Sequence, residues 1–497
     1  MALDQQRNWD ISMAQNLHKI MRLDDTAATT QQKDGILNSE KRNAEAGSRT
    51  WNTEPIYLPD EIILQIVEYI ANFRPYSQRT LASCCLLSHQ WYSAAVPLLY
   101  ERPVLYGNNF EPFLRAMCPS INLHIRKSVR AELVKSLNMA NLVHQGSRSL
   151  TARLLGRTKG GLEEFVAPQA SFAINCLPAL SKCVRLRVLD LSLVSESPPL
   201  PELFKTVSHL NELRSFRLPR SAGFGAHHAT TDLPWPPNLE DLTLSGGIDG
   251  HFLVGVVAFP QTLRSITIEH CPQVKGFALV HLLRTAIRPL RRLESLKIRH
   301  MPRLSTRALD NVLFLLPQLK KLSVSVDYIT PAVFDEDHFS MLAKEPYIVP
   351  SQTAHWSEAH QSFPLDLATD DHDHEQTSLP PQQQHSLRTL ELTSSGNPGV
   401  EDKITPIDVM IAIEEGTLPN LRQVRVTKSL HWHNSATAQD AEALADVLQE
   451  RNKREWFEVR GLTIPEGESE DGSGVRAIME GEERPWERSA GVWMFDG

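Results

Sequence analysis

The sequence is poor in the features that mark secreted and membrane-spanning chains. Its 497 residues include only six cysteines, and no two of them are spaced as a CxxC pair. Scattered thiols in a chain of this length argue against a disulfide framework and favour buried, reduced cysteines. No apolar run approaches the roughly 18 residues of a spanning helix, and the start MALDQQRNWD has no basic segment followed by an apolar run. We therefore expect a soluble chain of the cytoplasm or the nucleus, with no membrane partner.

The sequence also lacks the motifs of the common enzyme classes. It contains no P-loop, no GxGxxG placed after a strand, no HExxH and no GxSxG. We therefore predict a non-enzyme without catalytic residues, cofactor or metal. For the cluster DDHDHE at 370–375, a solvated acidic loop is favoured over a specific metal site, because a structural site needs closed, oriented geometry.

What the sequence does contain is an internal repeat. The template L-x-x-L-x-L, with apolar substitutions, starts at residues 134, 162, 186, 213, 239, 263, 293, 319, 387 and 421, with a degenerate copy at 456. The spacing up to 319 suits one strand, one helix and two turns per unit. This pattern indicates a leucine-rich-repeat solenoid. The predicted fold class is α/β, with a curved parallel sheet and helices on its convex side.

Two neighbouring units share a finer pattern. Cys271 and Val274 in one unit stand where Met301 and Leu304 stand in the next. This resembles the cysteine-containing subclass of leucine-rich repeats, in which the cysteine is a small buried residue at the turn leaving the strand. A catalytic or metal-binding Cys271 is the sharper alternative, but no partner ligand recurs near it.

A short helical block precedes the repeats. In LPDEIILQIVEYI (58–70) apolar residues cover more than half of the helical wheel, whereas a surface helix needs one apolar stripe. Pro59 suits the first helical position, and Asp60 and Glu61 follow where the helix dipole favours negative charge. Three short helices in fewer than 50 residues make a thin core that needs support from neighbours.

This block resembles the F-box. The matching elements are Leu58-Pro59, the isoleucines of the first helix, LLSHQW (86–91) and PLLY (97–100). Leu87 and Gln90 depart from the family pattern. An F-box followed by leucine-rich repeats is similar to the F-box/leucine-rich-repeat proteins. That resemblance implies a substrate receptor whose F-box binds the Skp-family adaptor of a cullin–RING ubiquitin ligase, while the repeats hold a protein substrate for ubiquitination.

The surplus apolar surface of the block needs a partner surface. Some of its side chains must instead form the block's own core, and the sequence leaves that division open. The predicted adaptor contacts are Leu58, Pro59, Ile62, Ile63, Ile66 and Leu86.

Basic residues cluster in the middle repeats, where twelve Lys and Arg stand against three Asp and Glu between 264 and 321. The template places some on the concave face, which suits an acidic or phosphorylated substrate segment. An ordinary solvated surface is the alternative, and a third possibility is that the acidic insertion covers the patch. The predicted substrate-binding residues are Arg217, Lys297, Arg299, Lys321 and Arg425.

The predicted organisation has seven parts. They are a flexible arm (1–53), the F-box-like helical module (54–103), a linker helix or turn (104–129), leucine-rich repeats (130–326), an acidic flexible insertion (327–386), C-terminal repeats (387–464) and an acidic tail or cap (465–497). A repeat scaffold acting without the cullin is the competing function. Nucleic-acid binding is disfavoured by the net charge of −8 and by the absence of aromatic residues among the basic ones.

Overall fold

A computed structural model describes residues 58–72, 77–119, 128–142, 148–220, 234–256, 258–335, 385–394, 403–434, 437–460 and 489–496. The chain forms two compact units, Met1–Leu263 and Arg264–Gly497. The predicted arm at 1–53 and most of the acidic tail lie outside the described residues.

The first unit begins with four helices. Ile63 and Val67 lie one turn apart on the first of them and are both buried, so one face of this helix forms the core of the module. The Ser88 side chain accepts a hydrogen bond from the backbone N–H of Trp91 and caps the third helix. The helices are α1 (Asp60–Asn72), α2 (Ser77–Cys84), α3 (His89–Glu101) and α4 (Gly107–Met117).

Five strands follow in the first unit, and each pairs in parallel with the next. Lys135 connects them to the helical module, since its backbone N–H donates to the Glu101 carbonyl at 2.8 Å. The strands are β1 (Ser136–Asn138), β2 (Glu164–Val166), β3 (Val188–Asp190), β4 (Ser215–Arg217) and β5 (Asp241–Ser245), and the helices are α5 (Arg148–Thr158), α6 (Leu177–Leu180), α7 (Leu200–Val207) and α8 (Gly250–Gly255).

The second unit continues the same alternation of strands and helices. Its strands also pair in parallel in chain order. They are β6 (Ser265–Glu269), β7 (Ser295–Arg299), β8 (Lys321–Ser325), β9 (Thr389–Thr393), β10 (Gln423–Thr427) and β11 (Gly491–Phe495). The α-helices are α9 (Gly276–Leu282), α10 (Val312–Leu315), α11 (Pro406–Glu414) and α12 (Ala438–Val459), and a 3₁₀ turn covers Pro331–Phe334.

The predicted α/β class, with a helical N-terminal region and a parallel sheet, is confirmed. Each of the ten predicted strands begins two residues after the start of its template. The apolar template positions are buried, as Leu293, Leu296 and Ile298 show around β7. Burying each such side chain contributes roughly 1.5–3 kcal/mol, which explains why the alternation of the template fixes the strand register.

Two sequence-based boundaries need correction. The degenerate copy at 456 lies inside helix α12, and the last strand comes instead from Gly491–Phe495, in the segment predicted as an acidic tail or cap. The insertion expected from 327 begins no earlier than 336, because Ile329 and Val333 are buried. Thr330 also donates from its backbone N and its hydroxyl to the Asp310 carboxylate, at 2.7 and 2.9 Å. Residues 336–384, with DDHDHE, lie outside the described residues.

Candidate functional site

Helix α1 carries a second apolar face beside its buried one. Ile62, Ile66 and Tyr69 have the i, i+4, i+7 spacing that places side chains on one side of a helix. Ile62 is 42% exposed and Tyr69 is 65% exposed, whereas Ile63 is 1% exposed. The excess apolar surface noted in the sequence therefore stays open to solvent instead of entering the module's core.

The structure divides the six predicted adaptor contacts. Ile63 is buried in the core of the module, so its assignment as an adaptor contact needs correction. Leu58 and Ile66 are half-buried, while Pro59, Ile62 and Leu86 are exposed. Leu87, which was not among the six, is 65% exposed next to Leu86. The open surface therefore comprises α1 and the turn after α2.

Gln90 holds the two ends of this surface together. Its side-chain amide donates to the Leu58 carbonyl at 2.9 Å and to the Asp60 carboxylate at 2.6 Å. These bonds tie the start of α3 to the start of α1, which fixes the orientation of the exposed apolar residues. The departure from the F-box pattern at position 90 thus has a structural use in this chain.

The second unit concentrates charge on the polar side of its strands, around a buried carboxylate. Glu391 on β9 is 5% exposed. Arg299 on β7 forms an ion pair with it, and Ser323 on β8 donates a hydroxyl hydrogen bond to it at 3.0 Å. Lys321 and Arg425 contact its other oxygen at 3.7 and 3.6 Å. Three of the predicted substrate residues therefore converge on one carboxylate, and we call these four charged residues the Glu391 cluster.

The cluster controls the ionisation of its central carboxylate. Burial alone would raise the pKa of Glu391, but Arg299, the Ser323 hydroxyl and the two other cations together hold that pKa below its ordinary value. The carboxylate therefore remains ionised at neutral pH, and it balances only part of the positive charge that surrounds it.

Lys297 lies beside the cluster. It is opposite Ser323 of β8 in the strand register, and its ammonium group interacts electrostatically with the Glu269 carboxylate. Burial and the neighbouring Arg299 lower the pKa of Lys297 from its ordinary value. Among the described residues, no carboxylate lies within ion-pair distance of its ammonium group. Lys297 is thus a cation of the predicted set whose charge is not balanced by a direct ion pair within the described residues.

The fifth predicted residue has a separate environment in the first unit. Arg217 on β4 pairs with Asp190 on β3 at 3.1 Å, and the arginine side chain is 55% exposed. The guanidinium has five N–H donors and is open to solvent at the arginine end of this pair, so Arg217 keeps hydrogen-bonding capacity for a ligand.

Sequence reasoning missed the role of Glu391. In the template starting at 387, Glu391 occupies the same outward-facing position of its strand as Lys297 and Arg425 do in theirs. Its proximity to the basic residues could therefore have been predicted. A count of charges between 264 and 321 does not include Glu391. The residue nevertheless lies beside this segment, because β8 and β9 are adjacent in the sheet although 63 residues separate Ser325 from Thr389 in the sequence.

Acid should weaken the second unit through this cluster. A carboxyl group whose pKa is lowered by folding stabilises the folded state above its ordinary pKa of 4.5, and this contribution is lost as pH falls through the lower folded value. We expect the melting temperature of the wild-type chain to decrease as the pH drops below 4.5. The melting temperature of the Glu391→Gln variant should decrease less steeply over the same pH range. Circular dichroism melts between pH 7 and pH 3 measure this, and parallel curves for both proteins would contradict it.

Comparison with known proteins decides the family. The chain is 30% identical over 394 residues to "F-box protein YDR306C" of Saccharomyces cerevisiae, and the match covers 76% of this chain and 71% of that protein. The chain belongs to the F-box protein family. This F-box protein is also 26% identical over 404 residues to "Protein pof5" of Schizosaccharomyces pombe, covering 81% of this chain and 99% of that protein.

No family model matches this F-box protein. A solved structure titled "Crystal structure of Rad7 and Elc1 complex in yeast" aligns with 75% of this chain and 94% of its own, at a TM-score of 0.30 and 12% identity.

None of the six cysteines of this F-box protein forms a disulfide bond, and all six are buried. Cys271 is fully buried, its thiol donates to the Glu269 carbonyl at 3.3 Å, and burial raises its pKa to about 12. Burial likewise raises the pKa of Cys183 to about 12. Since the thiolate is the reactive form, a nucleophilic role for Cys271 is disfavoured and its role as a small core residue is supported.

We expect these thiols to be inert in the folded protein. The six cysteines should react with a chromogenic disulfide reagent only after unfolding in urea, because burial both blocks access and disfavours the thiolate. One thiol that reacts rapidly in the native protein would contradict the described packing.

Neither a metal-binding group nor a membrane-spanning helix occurs in the part of the chain that the structure describes. There, no three histidine, cysteine, aspartate or glutamate side chains are grouped to hold a metal ion. Over the same residues, none of the helices combines the length and hydropathy needed to cross a bilayer.

Proposed function

We propose that this F-box protein is the non-catalytic substrate-recognition subunit of a Skp–cullin–F-box ubiquitin ligase. The helical module binds a Skp-family adaptor, and through it a cullin, while the leucine-rich repeats of the second unit bind a protein substrate destined for ubiquitination and proteasomal degradation. The observation that carries the proposal is the solvent-exposed apolar face of α1 in a chain of the F-box family.

The adaptor surface is built from a rigid helix end and a fixed turn. Ile62 and Leu86 are 42% and 45% exposed, and their burial by a partner would remove apolar area from water. The Gln90 bonds to Leu58 and Asp60 hold the helix end in place before binding, so little ordering entropy is lost. Ile62, Ile66, Leu86 and Leu87, with Pro59 at the rim, are the proposed contacts.

The proposed substrate surface comprises Lys297 and the Glu391 cluster. Three cations, Arg299, Lys321 and Arg425, contact one buried carboxylate. Lys297 lies on the strand beside them, so a positive excess remains. Arginine and lysine side chains on adjacent strands can bind a carboxylate or a phosphoryl group with charge-assisted hydrogen bonds. An acidic or phosphorylated segment is therefore the proposed substrate class.

Aromatic side chains extend this surface at the edge of the second unit. β11 pairs with β10 so that Trp493 stands opposite Arg425. The Arg425 guanidinium also lies 5.4 Å from the ring centroid of Phe495, an attractive cation–π distance. A substrate segment can thus combine an acidic group with apolar contact to the exposed Trp493.

Co-purification tests the adaptor half of the proposal. The full chain, co-expressed with a Skp-family adaptor and the N-terminal part of a cullin, should elute as a stoichiometric ternary complex in size-exclusion chromatography with light scattering. A chain that captures no adaptor would favour the competing function, a repeat scaffold acting without the cullin.

The cysteine content suggests where the protein acts. Six buried free thiols suit a reducing compartment. We therefore propose the cytoplasm or the nucleus, which imaging of the tagged full-length protein tests.

A further inference from the structure

Strand β11 lies at the edge of the sheet in the second unit. It pairs in parallel with β10 on one side, and among the described residues no strand pairs with its other side. An edge strand presents its outward backbone N–H and C=O groups to any further strand, and natural proteins usually protect such edges with charged side chains, proline or a bulge. The sequence GVWMF contains no charge and no proline, and all five of its residues pair in register with β10. The edge therefore carries none of these protections.

The backbone groups of β11 alternate between its two sides. The Gly491 N–H donates to the Arg422 carbonyl at 3.0 Å, which is the direction of β10. Successive residues of a strand direct their N–H and C=O groups to opposite sides, so the groups of Val492 and Met494 point away from β10. The outward hydrogen-bonding groups are therefore placed symmetrically about Trp493.

Both faces of β11 are apolar and only partly covered. On the core side, Met494 is 37% exposed, although Val426, its register partner on β10, is fully buried. On the polar side, Trp493 is 36% exposed. A further strand at this edge would remove apolar surface from water on both faces, in addition to satisfying the backbone groups.

We infer that the outer edge of β11 pairs with the same edge of a second copy of this chain, in antiparallel orientation about a two-fold axis at Trp493. In this register Val492 of each copy lies opposite Met494 of the other, and the two residues exchange both of their outward hydrogen bonds. Trp493 meets its own equivalent, and Gly491 lies opposite Phe495. These are the non-hydrogen-bonded pairs, whose side chains approach most closely.

The side chains fit this edge to a second copy better than to an unrelated strand. A two-fold interface is self-complementary, so a charged residue at the axis would face its own charge. β11 carries no charge, and Asp496 directly after it pairs with Lys428 at 2.7 Å. Sizes are also complementary, because Gly491 receives the ring of Phe495, and an aromatic residue opposite an edge glycine compensates for the missing side chain.

The pairing joins two proposed substrate surfaces without depending on either proposed partner. Because the axis runs perpendicular to the sheet, the polar faces of both copies point in the same direction. The Arg425 guanidinium lies 5.4 Å from the Phe495 ring centroid, so the cations of each copy would lie close to the joint. A failure to bind adaptor or acidic peptides would overturn the proposed function and leave this pairing intact.

Sedimentation velocity of the full chain, without adaptor or peptide, tests the pairing. One short strand pair is a small interface, so we expect a reversible monomer–dimer equilibrium with a dissociation constant of about 10 μM. Met494→Pro removes an outward N–H from each copy, a change that the open side of an edge strand tolerates, and should weaken dimerisation about tenfold. Met494→Leu keeps that N–H and an apolar side chain, so this matched control should dimerise like the wild type.

A charge exchange at the axis tests the register. Trp493→Lys and Trp493→Glu should each be monomeric alone because like charges face each other, whereas an equimolar mixture of the two should dimerise because opposite charges then meet. Circular dichroism checks that each variant is folded. A wild-type chain that stays monomeric well above the expected dissociation constant, including one that binds only an unrelated extended peptide at this edge, would overturn the inference. Undiminished dimerisation of Met494→Pro, or a mixture that stays monomeric, would overturn it as well.

Discussion

Ile62→Asp is expected to weaken capture of a Skp-family adaptor strongly while leaving the F-box protein folded. Ile62 is exposed, so a charge there costs little in the free chain. In a complex, the aspartate carboxylate introduced at position 62 would be buried against an apolar partner surface without a counter-charge. We expect the affinity to fall about a hundredfold, as for a hot-spot contact worth 2–4 kcal/mol, with circular dichroism unchanged.

Leu64→Asp is the matched control on the same helix. Leu64 is 46% exposed, close to the 42% of Ile62, but two residues turn an α-helix by about 200°, so it lies on the other side. Adaptor affinity should be retained in this variant. Ile63→Ala tests a core residue instead of a surface one. It should lower the free energy of unfolding by about 2–4 kcal/mol, which a thermal melt detects. Equal adaptor loss in Leu64→Asp and Ile62→Asp would show that the contact face has been misassigned.

Glu391→Gln is expected to have opposite effects on stability and on substrate binding. Removing the central charge leaves three cations close together, which should cost about 2 kcal/mol. This cost in unfolding free energy is smaller than that of breaking a fully buried ion pair, because the Lys321 and Arg425 side chains are 43% and 42% exposed. The same change removes a carboxylate that competes with an incoming anion, so affinity for phosphoserine peptides should rise about fivefold.

An exposed glutamate of the same unit provides the control for this prediction. Glu294 pairs with Lys320 at 2.8 Å, with side chains 45% and 52% exposed. Glu294→Gln should therefore change stability by less than about 1 kcal/mol and leave peptide affinity unchanged. Chemical denaturation and fluorescence anisotropy measure the two properties. Lower peptide affinity in Glu391→Gln would show that the carboxylate orients the cations for binding instead of competing with the ligand.

The sequence predicted the strands of this fold because each repeat contains its own signal. Alternating apolar residues such as Leu293, Leu296 and Ile298 must be buried together, and this fixes both strand and register. The last strand was missed because GVWMF at 491–495 lacks the template. It adds to the sheet through backbone hydrogen bonds to β10, which any extended segment can make.

The candidate surfaces could be predicted only in part. Helical periodicity showed that α1 has too much apolar surface, but the assignment of Ile63 to the core and Ile62 to solvent depends on how α2 and α3 pack. The template assigns the basic residues to outward-facing strand positions. Their convergence on Glu391 depends on how far each side chain extends across the neighbouring strands, which the template does not specify. The stacking of the His270 and His300 rings depends on backbone angles that no local motif specifies.

The proposed bridging of adaptor and substrate can be measured directly by retention of the adaptor on substrate-like peptides. A resin bearing a phosphoserine peptide library should retain a Skp-family adaptor only when the full-length chain is present, and less of it as salt screens the charges. With Ile62→Asp the chain should stay on the resin and the adaptor should pass through. With Lys297→Glu, which reverses the charge of a cation in the middle of the substrate surface, retention of both should fall sharply. Retention of the wild-type chain without its adaptor, or unchanged retention of Lys297→Glu, would contradict a protein that binds an adaptor through α1 and an anionic substrate through its second unit.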